Sequence, residues 1–373
     1  NIHNMKIKNH FLSRLLLAVC VLSVVATSCR KDNHDIKKEK YENILGFYIL
    51  NQGNMGSNKA SLDYYNYKDS KYMSNIFVKA NPDVGFKLGD VGNDLQIYGS
   101  RMYAVINLSN MVEVMNKQTA VHIGNFTVPN CRYIVFYGNK AYVSSYAGPV
   151  DPSKSQLGYV AEIDTATLKE TRRVTVGYQP EQMQIVDGKL YVANSGGYNA
   201  PNYEKTVSVV DLASFTEIKK IEVGLNLNLV QKDDKGNLYI SSRGNYEDIP
   251  TNIYRLDTHN DKVKSLGINA SSFVIVGDSL FAVTLEYPSY TTKYTLYDLK
   301  KEAVIKDSFI SQSDVAKIKL PYHIAYNPQR KELYICDAKD YISAGEIFCF
   351  SLEGNIMWQH QTGDIPAVIA FLK

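Results

Sequence analysis

The side chains that could do acid–base chemistry in this sequence are few. After the charged stretch at residues 30–40, His occurs only at positions 122, 259, 323 and 360. His323 follows Tyr322 and could act as a base or a metal ligand, although a lone His more often serves as an ordinary hydrogen-bonding residue. The sequence has no nucleophile elbow, phosphate-cradling Gly loop, His–Glu metal helix or Cys-x-x-Cys pair. We therefore expect a protein that is not an enzyme and has no catalytic cofactor.

Clusters of Gly, Asn and Asp offer a second kind of chemistry, cation binding. Asp90 and Asp94, with Asn93 between them, are the best carboxylates for calcium. The same residue types also form turns through their own backbone, and this interpretation is favoured, so no metal site is predicted. The cysteines 131, 336 and 349 show no metal-ligand spacing. Cys336 and Cys349 could be cross-strand neighbours, but two small buried residues are the favoured interpretation.

Tyrosines and uncharged amides are the abundant chemistry, since the chain has 28 Tyr against 13 Phe and one Trp. Aromatic rings offer rigid apolar area, and amides and hydroxyls offer paired donors and acceptors. Such a surface suits a large, uncharged ligand that carries amides or hydroxyls, although loops facing solvent are commonly polar. The candidate ligand-binding residues are Asn51, Gln52, Asn54, Met55, Asn107, Arg132, Tyr133, Tyr146, Gln179, Asn194, Tyr198, Asn228, Arg243, Tyr287, Tyr322 and His323.

A repeated strand unit must position these residues. Its clearest copy runs from Leu190 to Gly224, with β-rich runs separated by polar turns, and weaker copies recur every 40 to 50 residues. An aromatic residue that opens a β run after a turn marks seven copies, at Tyr48, Tyr103, Tyr142, Tyr191, Tyr239, Phe281 and Tyr334. Repeats of this length are typical of propellers and solenoids. We predict an all-β protein, a seven-bladed β-propeller with four strands in each blade.

The two ends of the chain predict how the propeller closes. The first copy lacks its leading strand, and the apolar run Ala367 to Phe371 has no copy after it. The C-terminal strand should therefore complete the blade that begins at Gly46, which removes open sheet edges. If strands a to d run outward from the axis, the b–c and d–a loops share one face. The long, unusual loops belong to those two classes, so we expect the ligand-binding residues on that face.

The N-terminal residues predict an exported lipoprotein. Residues 1–28 read as a signal peptide, with 1–4 upstream of a plausible initiator, Met5, followed by basic residues and the apolar run Leu15 to Ala26. Ala26-Thr27-Ser28-Cys29 resembles a bacterial lipobox, which predicts lipidation of Cys29. An ordinary signal peptide with an incidental Cys is the alternative. Residues 29–43 form a charged, flexible tether, and 44–373 form the propeller.

Charge excludes one class of partner. Removal of Lys6, Lys8 and Arg14 with the signal peptide leaves 38 basic against 38 acidic residues. Nucleic-acid binding depends on excess positive charge, and so does attraction to an anionic lipid surface. We therefore expect no nucleic-acid partner, and a lipid bilayer only through the N-terminal lipid.

The repeat and its loops resemble a known family. LYVANSGGY…VSVVDL…VG is similar to the YVTN or YncE-like seven-bladed propellers over residues 46–373. More closely, the chain looks like the surface cobalamin-binding lipoproteins of Gram-negative gut anaerobes, the BtuG family. The stretches that carry this likeness are LNQGNMGSNKASLDYY (50–65), LGDVGNDLQIYG (88–99), PNCRYIVF (129–136), VGYQPEQM (176–183) and NSGGYNAPNY (194–203).

The resemblance implies a function that the residues accommodate. It implies a cell-surface lipoprotein of the outer membrane that binds cobalamin (vitamin B12) or a related corrinoid tightly and passes it to a BtuB-like TonB-dependent transporter. A corrin is a flat apolar ring fringed by amides, which Tyr and Asn/Gln side chains can match. The tether after Cys29 has mixed charges and lacks the run of acidic residues that would direct such a lipoprotein to the cell surface. The sequence therefore supports lipidation more directly than surface exposure.

Two other functions stay open at this stage. One is a glycan- or protein-binding surface propeller, and the other is a propeller lactonase or lyase. The scarcity of His opposes the second, because an enzyme needs acids and bases near the axis. A quinone-cofactor dehydrogenase is disfavoured, since Trp358 is the single Trp and the blades lack repeated Trp.

Overall fold

The computed structural model describes residues 43–151, 156–286 and 289–373. The predicted signal peptide, the predicted lipidation site Cys29 and nearly all of the predicted tether lie outside these residues. The folded unit spans Ile44–Lys373. Among the described residues no helix is long and apolar enough to cross a bilayer.

Seven antiparallel sheets of four strands make up the described part of the chain, each an outward series from strand a to strand d. Strands a are β28 (Pro366–Leu372), β4 (Gly92–Tyr98), β8 (Cys131–Tyr137), β12 (Pro180–Val186), β16 (Leu227–Lys232), β20 (Ser272–Val276) and β24 (Pro321–Asn327). Strands b are β1 (Gly46–Asn51), β5 (Arg101–Ile106), β9 (Lys140–Ser145), β13 (Lys189–Asn194), β17 (Leu238–Ser242), β21 (Ser279–Glu286) and β25 (Glu332–Asp337). The fold is a seven-bladed β-propeller, as predicted.

The outer half of each blade is more exposed. Strands c are β2 (Ser61–Asn66), β6 (Met111–Asn116), β10 (Tyr159–Asp164), β14 (Thr206–Asp211), β18 (Asn252–Asp257), β22 (Thr291–Asp298) and β26 (Ala344–Ser351). Strands d are β3 (Lys71–Met73), β7 (His122–Thr127), β11 (Lys169–Thr175), β15 (Thr216–Glu222), β19 (Lys262–Ser265), β23 (Ala303–Lys306) and β27 (Ile356–Asp364). Two short helices, α1 (Ile76–Ala80) and α2 (Gln312–Val315), lie in loops that connect consecutive blades.

The C-terminal strand closes the ring. β28 pairs antiparallel with β1, in a register that places Phe371 opposite Phe47 and Ile369 opposite Ile49. Each a strand contacts the a strand of the next blade, and β28 contacts both β24 and β4. The predicted pairing of the last strand with the strand that begins at Gly46 is therefore confirmed. This pairing covers the edge of β1 that faces the axis and gives the first blade its fourth strand.

The marker aromatics fill the space between blades. All seven lie on b strands and are buried. The Tyr48 hydroxyl donates to the Lys117 carbonyl of the next blade at 2.6 Å. Repetition of this residue therefore reflects packing, which accounts for part of the tyrosine excess.

The three described cysteines are buried and free. In strands β25 and β26, Cys336 lies opposite Ile347 and Cys349 lies opposite Tyr334, so the two thiols are not cross-strand partners. Their interpretation as small buried residues is confirmed. Burial also raises the pKa of the Cys131 thiol to about 12.

Ring closure predicts a large cost for truncating Phe47. This side chain is fully buried and packs against Tyr65, Tyr334 and Phe371, which belong to both chain ends. We expect Phe47→Ala to lower the free energy of unfolding by about 3–5 kcal/mol, because it removes a core ring and leaves a cavity. Urea denaturation followed by circular dichroism measures this. Ile305→Ala, on an exposed part of β23, is the control and should change it by less than about 0.5 kcal/mol. Equal losses of unfolding free energy in both variants would contradict a special role for packing around the β1–β28 pair.

Candidate functional site

A large cavity opens on the face formed by the b–c and d–a loops. Its volume is about 1290 Å³, and its lining comes mostly from these loops and from the a strands, with a few residues from the adjoining ends of b and d strands. No described residue of an a–b or c–d turn contributes to it. The predicted placement of the unusual loops on one face therefore coincides with the position of this cavity.

Irregular pairing at the cavity end of the a strands aims side chains inward. Six of the seven described a strands have a register shift there, at Gly92/Asp94, Cys131/Ile134, Pro180/Met183, Leu227/Val230, Pro321/His323 and beside Ala367. A β-bulge bends the strand and redirects a side chain, and bulges are frequent beside functional sites. The residues at these shifts that line the cavity are Asn93, Arg132, Tyr133, Gln182, Asn228, Leu229, Tyr322 and Ala367.

Left-handed backbone precedes five of these strands. The residues Val91, Asn130, Gln179, Asn226 and Ile365 each have a positive φ, between 44° and 61°. This conformation is strained for any residue with a Cβ, and most of all for β-branched Val91 and Ile365. At Asn130 and Asn226 the side-chain amide donates to the carbonyl of Gly148 and of Gly244, respectively, which anchors the adjacent b–c loop.

Polar side chains fasten neighbouring a strands to one another. Gln182 accepts from the Val230 N–H at 2.7 Å, Gln231 accepts from the Ile275 N–H, and Ser272 accepts from the Ile324 N–H. Each contact joins one blade to the next. The a strands around the cavity are therefore held together by hydrogen bonds as well as by packing, and these hydrogen bonds preorganise the cavity wall.

Asp94 plays the same fastening role between the second and third blades. Its carboxylate accepts from the N–H groups of Leu95 and Ile134 and from the Gln96 amide, at 2.8 to 3.1 Å. Burial raises its pKa to about 6, although these hydrogen bonds act in the opposite direction. Among the described residues no group of three or more His, Cys, Asp and Glu side chains is placed to hold a metal ion.

A buried ion cluster occupies one side of the cavity, and sequence reasoning missed its centre, Glu181. This carboxylate accepts from Arg132 Nε at 3.0 Å, Arg243 Nη1 at 3.0 Å and the Tyr146 hydroxyl at 2.5 Å. Burial alone would raise the pKa of Glu181, but the charges of Arg132 and Arg243 outweigh it and hold the pKa below its ordinary value. The guanidinium of Arg132 also lies 4.9 Å from the centre of the Tyr146 ring.

The sequence held a signal for Glu181 in the repeat itself. Asn93, Arg132, Glu181, Asn228 and Tyr322 occupy one repeat position, the second residue of their a strands. That position changes in size and charge from blade to blade, whereas the position two residues further along the same strands stays apolar and buried, as Leu95, Ile134, Met183, Val230 and Ile324. Variation within an otherwise regular repeat is a mark of a functional wall rather than a packing position.

Most of the predicted ligand-binding residues lie together in this cavity. Those that line it are Gln52, Met55, Asn107, Arg132, Tyr133, Tyr146, Tyr198, Asn228, Arg243, Tyr322 and His323. Tyr322 donates to the Gln52 amide oxygen at 2.8 Å, which joins the seventh blade to the first. Burial lowers the pKa of His323 to about 4, so its imidazole is neutral near pH 7.

The remaining predicted residues do not line it. Asn51 and Asn194 end their b strands and are fully buried, with amides that donate to Asp63 and to Ser208. Asn54 lies in a tight turn, where its carbonyl accepts from Ser57. Gln179 is buried and accepts from the Tyr198 N–H, so it orders the loop that carries Tyr198. Tyr287 lies outside the described residues.

Comparison with known proteins places the chain in a family. Residues 45–352 match the family model described as a domain of unknown function, DUF5074. The chain belongs to the DUF5074 family. No curated protein matches this DUF5074 chain by sequence.

Solved structures similar to this DUF5074 protein are propellers of several kinds. A quinoprotein alcohol dehydrogenase-like protein from Bacteroides thetaiotaomicron has 14% identity and a TM-score of 0.60, with 88% of this chain and 78% of that one covered. The periplasmic gluconolactonase of Pseudomonas aeruginosa has 10% identity and a TM-score of 0.61, with 88% and 99% covered. Hydrazine synthase of Kuenenia stuttgartiensis has 14% identity and a TM-score of 0.55, with 81% and 89% covered. At these identities the likeness shows the fold alone.

The ion cluster predicts a stability cost for removing its carboxylate. Glu181→Gln would leave two guanidiniums, which repel one another, without their counter-charge. We expect the free energy of unfolding to fall by about 3 kcal/mol, which is the lower end of the range for breaking a buried ion pair. The lower end applies because both arginines reach the cavity, where their charges are less desolvated. Guanidinium chloride denaturation measures the change.

The matched control is Glu170→Gln, which breaks the more exposed pair between Glu170 and Arg173. Its effect should stay within about 1 kcal/mol. A Glu181→Gln protein as stable as the parent would mean that water in the cavity solvates the guanidiniums sufficiently.

Proposed function

We propose that this protein binds cobalamin or a related corrinoid in the loop-face cavity. The observation that carries the proposal is the cavity itself, which exceeds the roughly 300–1,000 Å³ of ordinary small-molecule pockets and has one open face. A ligand of corrinoid size matches such a volume. A rigid wall that is formed before the ligand arrives lowers the ordering cost of binding, which favours tight capture.

The chemistry of the wall supports the same ligand class. The tyrosine rings that line the cavity are those of Tyr133, Tyr146, Tyr198, Tyr246, Tyr322 and Tyr341. The side-chain amides that line it are those of Gln52, Asn93, Gln96, Asn107, Asn110, Asn130, Gln182, Asn228 and Asn269. The faces of tyrosine rings pack against a flat apolar macrocycle. The amides of the protein can pair with the propionamide and acetamide groups at the edge of a corrin.

The proposal assigns no catalytic step to the cavity. Glu181 is held ionised by two guanidiniums, so it is a poor proton acceptor. Asp94 already accepts three N–H groups that belong to the fold. The cavity therefore supports binding better than the lactonase or lyase chemistry that the fold also hosts.

The rim of the cavity, defined as the exposed apolar side chains of the b–c loops, supports a protein partner. Each of the seven described b–c loops presents at least one such side chain, and Met55 and Ile342 are 68% and 73% exposed. The rim residues are Met55, Leu108, Leu157, Tyr198, Tyr246, Ile249, Tyr290, Tyr341 and Ile342. Contiguous exposed apolar area is typical of protein-docking surfaces. We propose that the rim docks on a TonB-dependent outer-membrane transporter that receives the corrinoid, with the protein tethered at the cell surface through lipidated Cys29.

Binding can be tested with the purified propeller, residues 44–373. Mixed with cyanocobalamin, it should give a coloured complex that survives gel filtration and titrates at one ligand per protein. Ala367→Trp places an indole in the cavity from strand β28 and should weaken binding by at least about tenfold, roughly 1.4 kcal/mol. Ala166→Trp, in a turn on the opposite face, is the matched control and should bind as the parent does. No binding by the parent protein at micromolar cobalamin would refute the proposed function.

The rim predicts a separation of binding from delivery. Ile342→Asp with Leu157→Asp puts charge on the rim at two positions that do not line the cavity. We expect cobalamin affinity to change by less than about threefold, while transporter capture and cobalamin-dependent growth fall at least about tenfold, because a buried unpaired carboxylate opposes docking. Ile218→Asp, on the outermost strand β15, is the control. Undiminished growth of the rim variant would contradict docking by this surface.

A further inference from the structure

We propose that Arg132 and Arg243 form an anion subsite inside the cavity, which takes the single phosphodiester of the nucleotide loop of a corrinoid. This inference rests on the proposed function and deepens it by naming which part of the ligand lies where. The argument begins with the unequal charge of the ion cluster. Two guanidiniums share the one carboxylate of Glu181, so the cluster carries an excess positive charge.

The cations face the cavity and the anion does not. Arg132 and Arg243 line the cavity with side chains that are 16% and 28% exposed, whereas Glu181 is 1% exposed and lies behind them. A ligand that enters therefore meets the guanidiniums first. The carboxylate fixes their positions and leaves part of their charge to be compensated from the cavity side.

Nothing else in the described part of the chain neutralises this charge. Among the carboxylates that line the cavity, Asp94 accepts three N–H groups of the fold, and Glu286 is paired with Lys293 at 2.7 Å. Glu247 lies on the exposed b–c loop of the fifth blade. No ion pair joins any of these three carboxylates to Arg132 or Arg243 within the described residues. An excess cation in a partly desolvated cavity is costly unless an anion of the ligand compensates it.

The geometry matches a phosphate group. Arg132 comes from strand β8 and Arg243 from the b–c loop of the fifth blade, so they approach one point from two blades. Arg132 donates to Glu181 through Nε and Nη2, and Arg243 donates to Glu181 through Nη1 and to Asn228 through Nη2. These contacts preorganise the two guanidiniums, and their remaining N–H groups, such as those on Arg132 Nη1, can donate to phosphate oxygens. In a cobalamin the amide side chains are neutral, and the phosphodiester is the anionic group of the periphery.

The test compares two corrinoids on one set of proteins. Cyanocobalamin carries the phosphodiester, and dicyanocobinamide keeps the corrin and its amides but lacks the nucleotide loop. Dissociation constants are measured by titration calorimetry, with displacement where binding is too tight to titrate directly. We expect Arg243→Gln to weaken cyanocobalamin binding by about 10- to 100-fold, the range of one charge-assisted contact, and dicyanocobinamide binding by less than about threefold.

The controls separate charge recognition from packing. Arg243→Lys keeps the charge and should recover part of the cyanocobalamin affinity that Arg243→Gln loses. It also replaces Arg243→Gln as the test variant if that protein folds poorly. Arg255→Gln removes an arginine that pairs with Glu302 outside the cavity and should change neither affinity. Raising the salt concentration should weaken cyanocobalamin binding more than dicyanocobinamide binding.

Four outcomes would overturn the subsite. Equal losses of affinity for both corrinoids in Arg243→Gln would show that the arginine packs against the ring, and no loss for either would show a purely structural cluster. If the parent protein binds dicyanocobinamide but not cyanocobalamin, the nucleotide loop is rejected and the subsite is wrong, while corrinoid binding stands. If it binds neither, the proposed function fails and the inference fails with it.

Discussion

The antiparallel pairing of the C-terminal strand β28 with the N-terminal strand β1 is the constraint on which the rest of the structure depends. A propeller blade buries its faces only against its neighbours, so the ring has to close for each blade to be covered on both sides. Here the closing blade takes its innermost strand from one chain end and the other three from the other end. Closure also brings seven a strands around one axis, and only then do their ends surround a cavity.

The strands of the cavity wall depart from regular β geometry, and contacts within the closed ring stabilise these departures. The irregularities are positive φ values at Val91 and Ile365 and register shifts in six a strands. Such strain persists where surrounding contacts over-determine the backbone. The side chains of Asp94, Gln182, Gln231 and Ser272 supply those contacts, because each accepts an N–H of the following blade. The same bonds that relieve the irregular strands also hold the wall rigid before a ligand arrives.

Electrostatics distinguishes this wall from an uncharged surface. A protein with balanced charge over residues 29–373 nevertheless concentrates two arginines around one buried carboxylate at the cavity. Because Glu181 is paired on both sides, it orients cations rather than exchanging protons. His323 is desolvated and neutral. The side of the cavity that carries Arg132 and Arg243 therefore offers fixed positive charge beside neutral hydrogen-bonding groups. This combination suits the large, amide-bearing ligand with one anionic group that we propose.

The amino-acid sequence by itself determined the fold class, the blade number and the closing strand. Those features are local and repeated: the aromatic at the start of each b strand, the turns between strands and the unpartnered apolar run at 367–371. It also indicated the face, since eleven of the sixteen candidate residues line the cavity. Only the tertiary structure decided that Asn51 and Asn194 serve the blades, that Asp94 fastens two blades, and that Glu181 joins Arg132 to Arg243. The reason is that the roles of Asp94 and Glu181 depend on contacts between blades, which join residues 40, 49 and 62 positions apart. The amides of Asn51 and Asn194 instead contact the next strand of their own blade. Neither kind of contact leaves a periodic trace in the sequence.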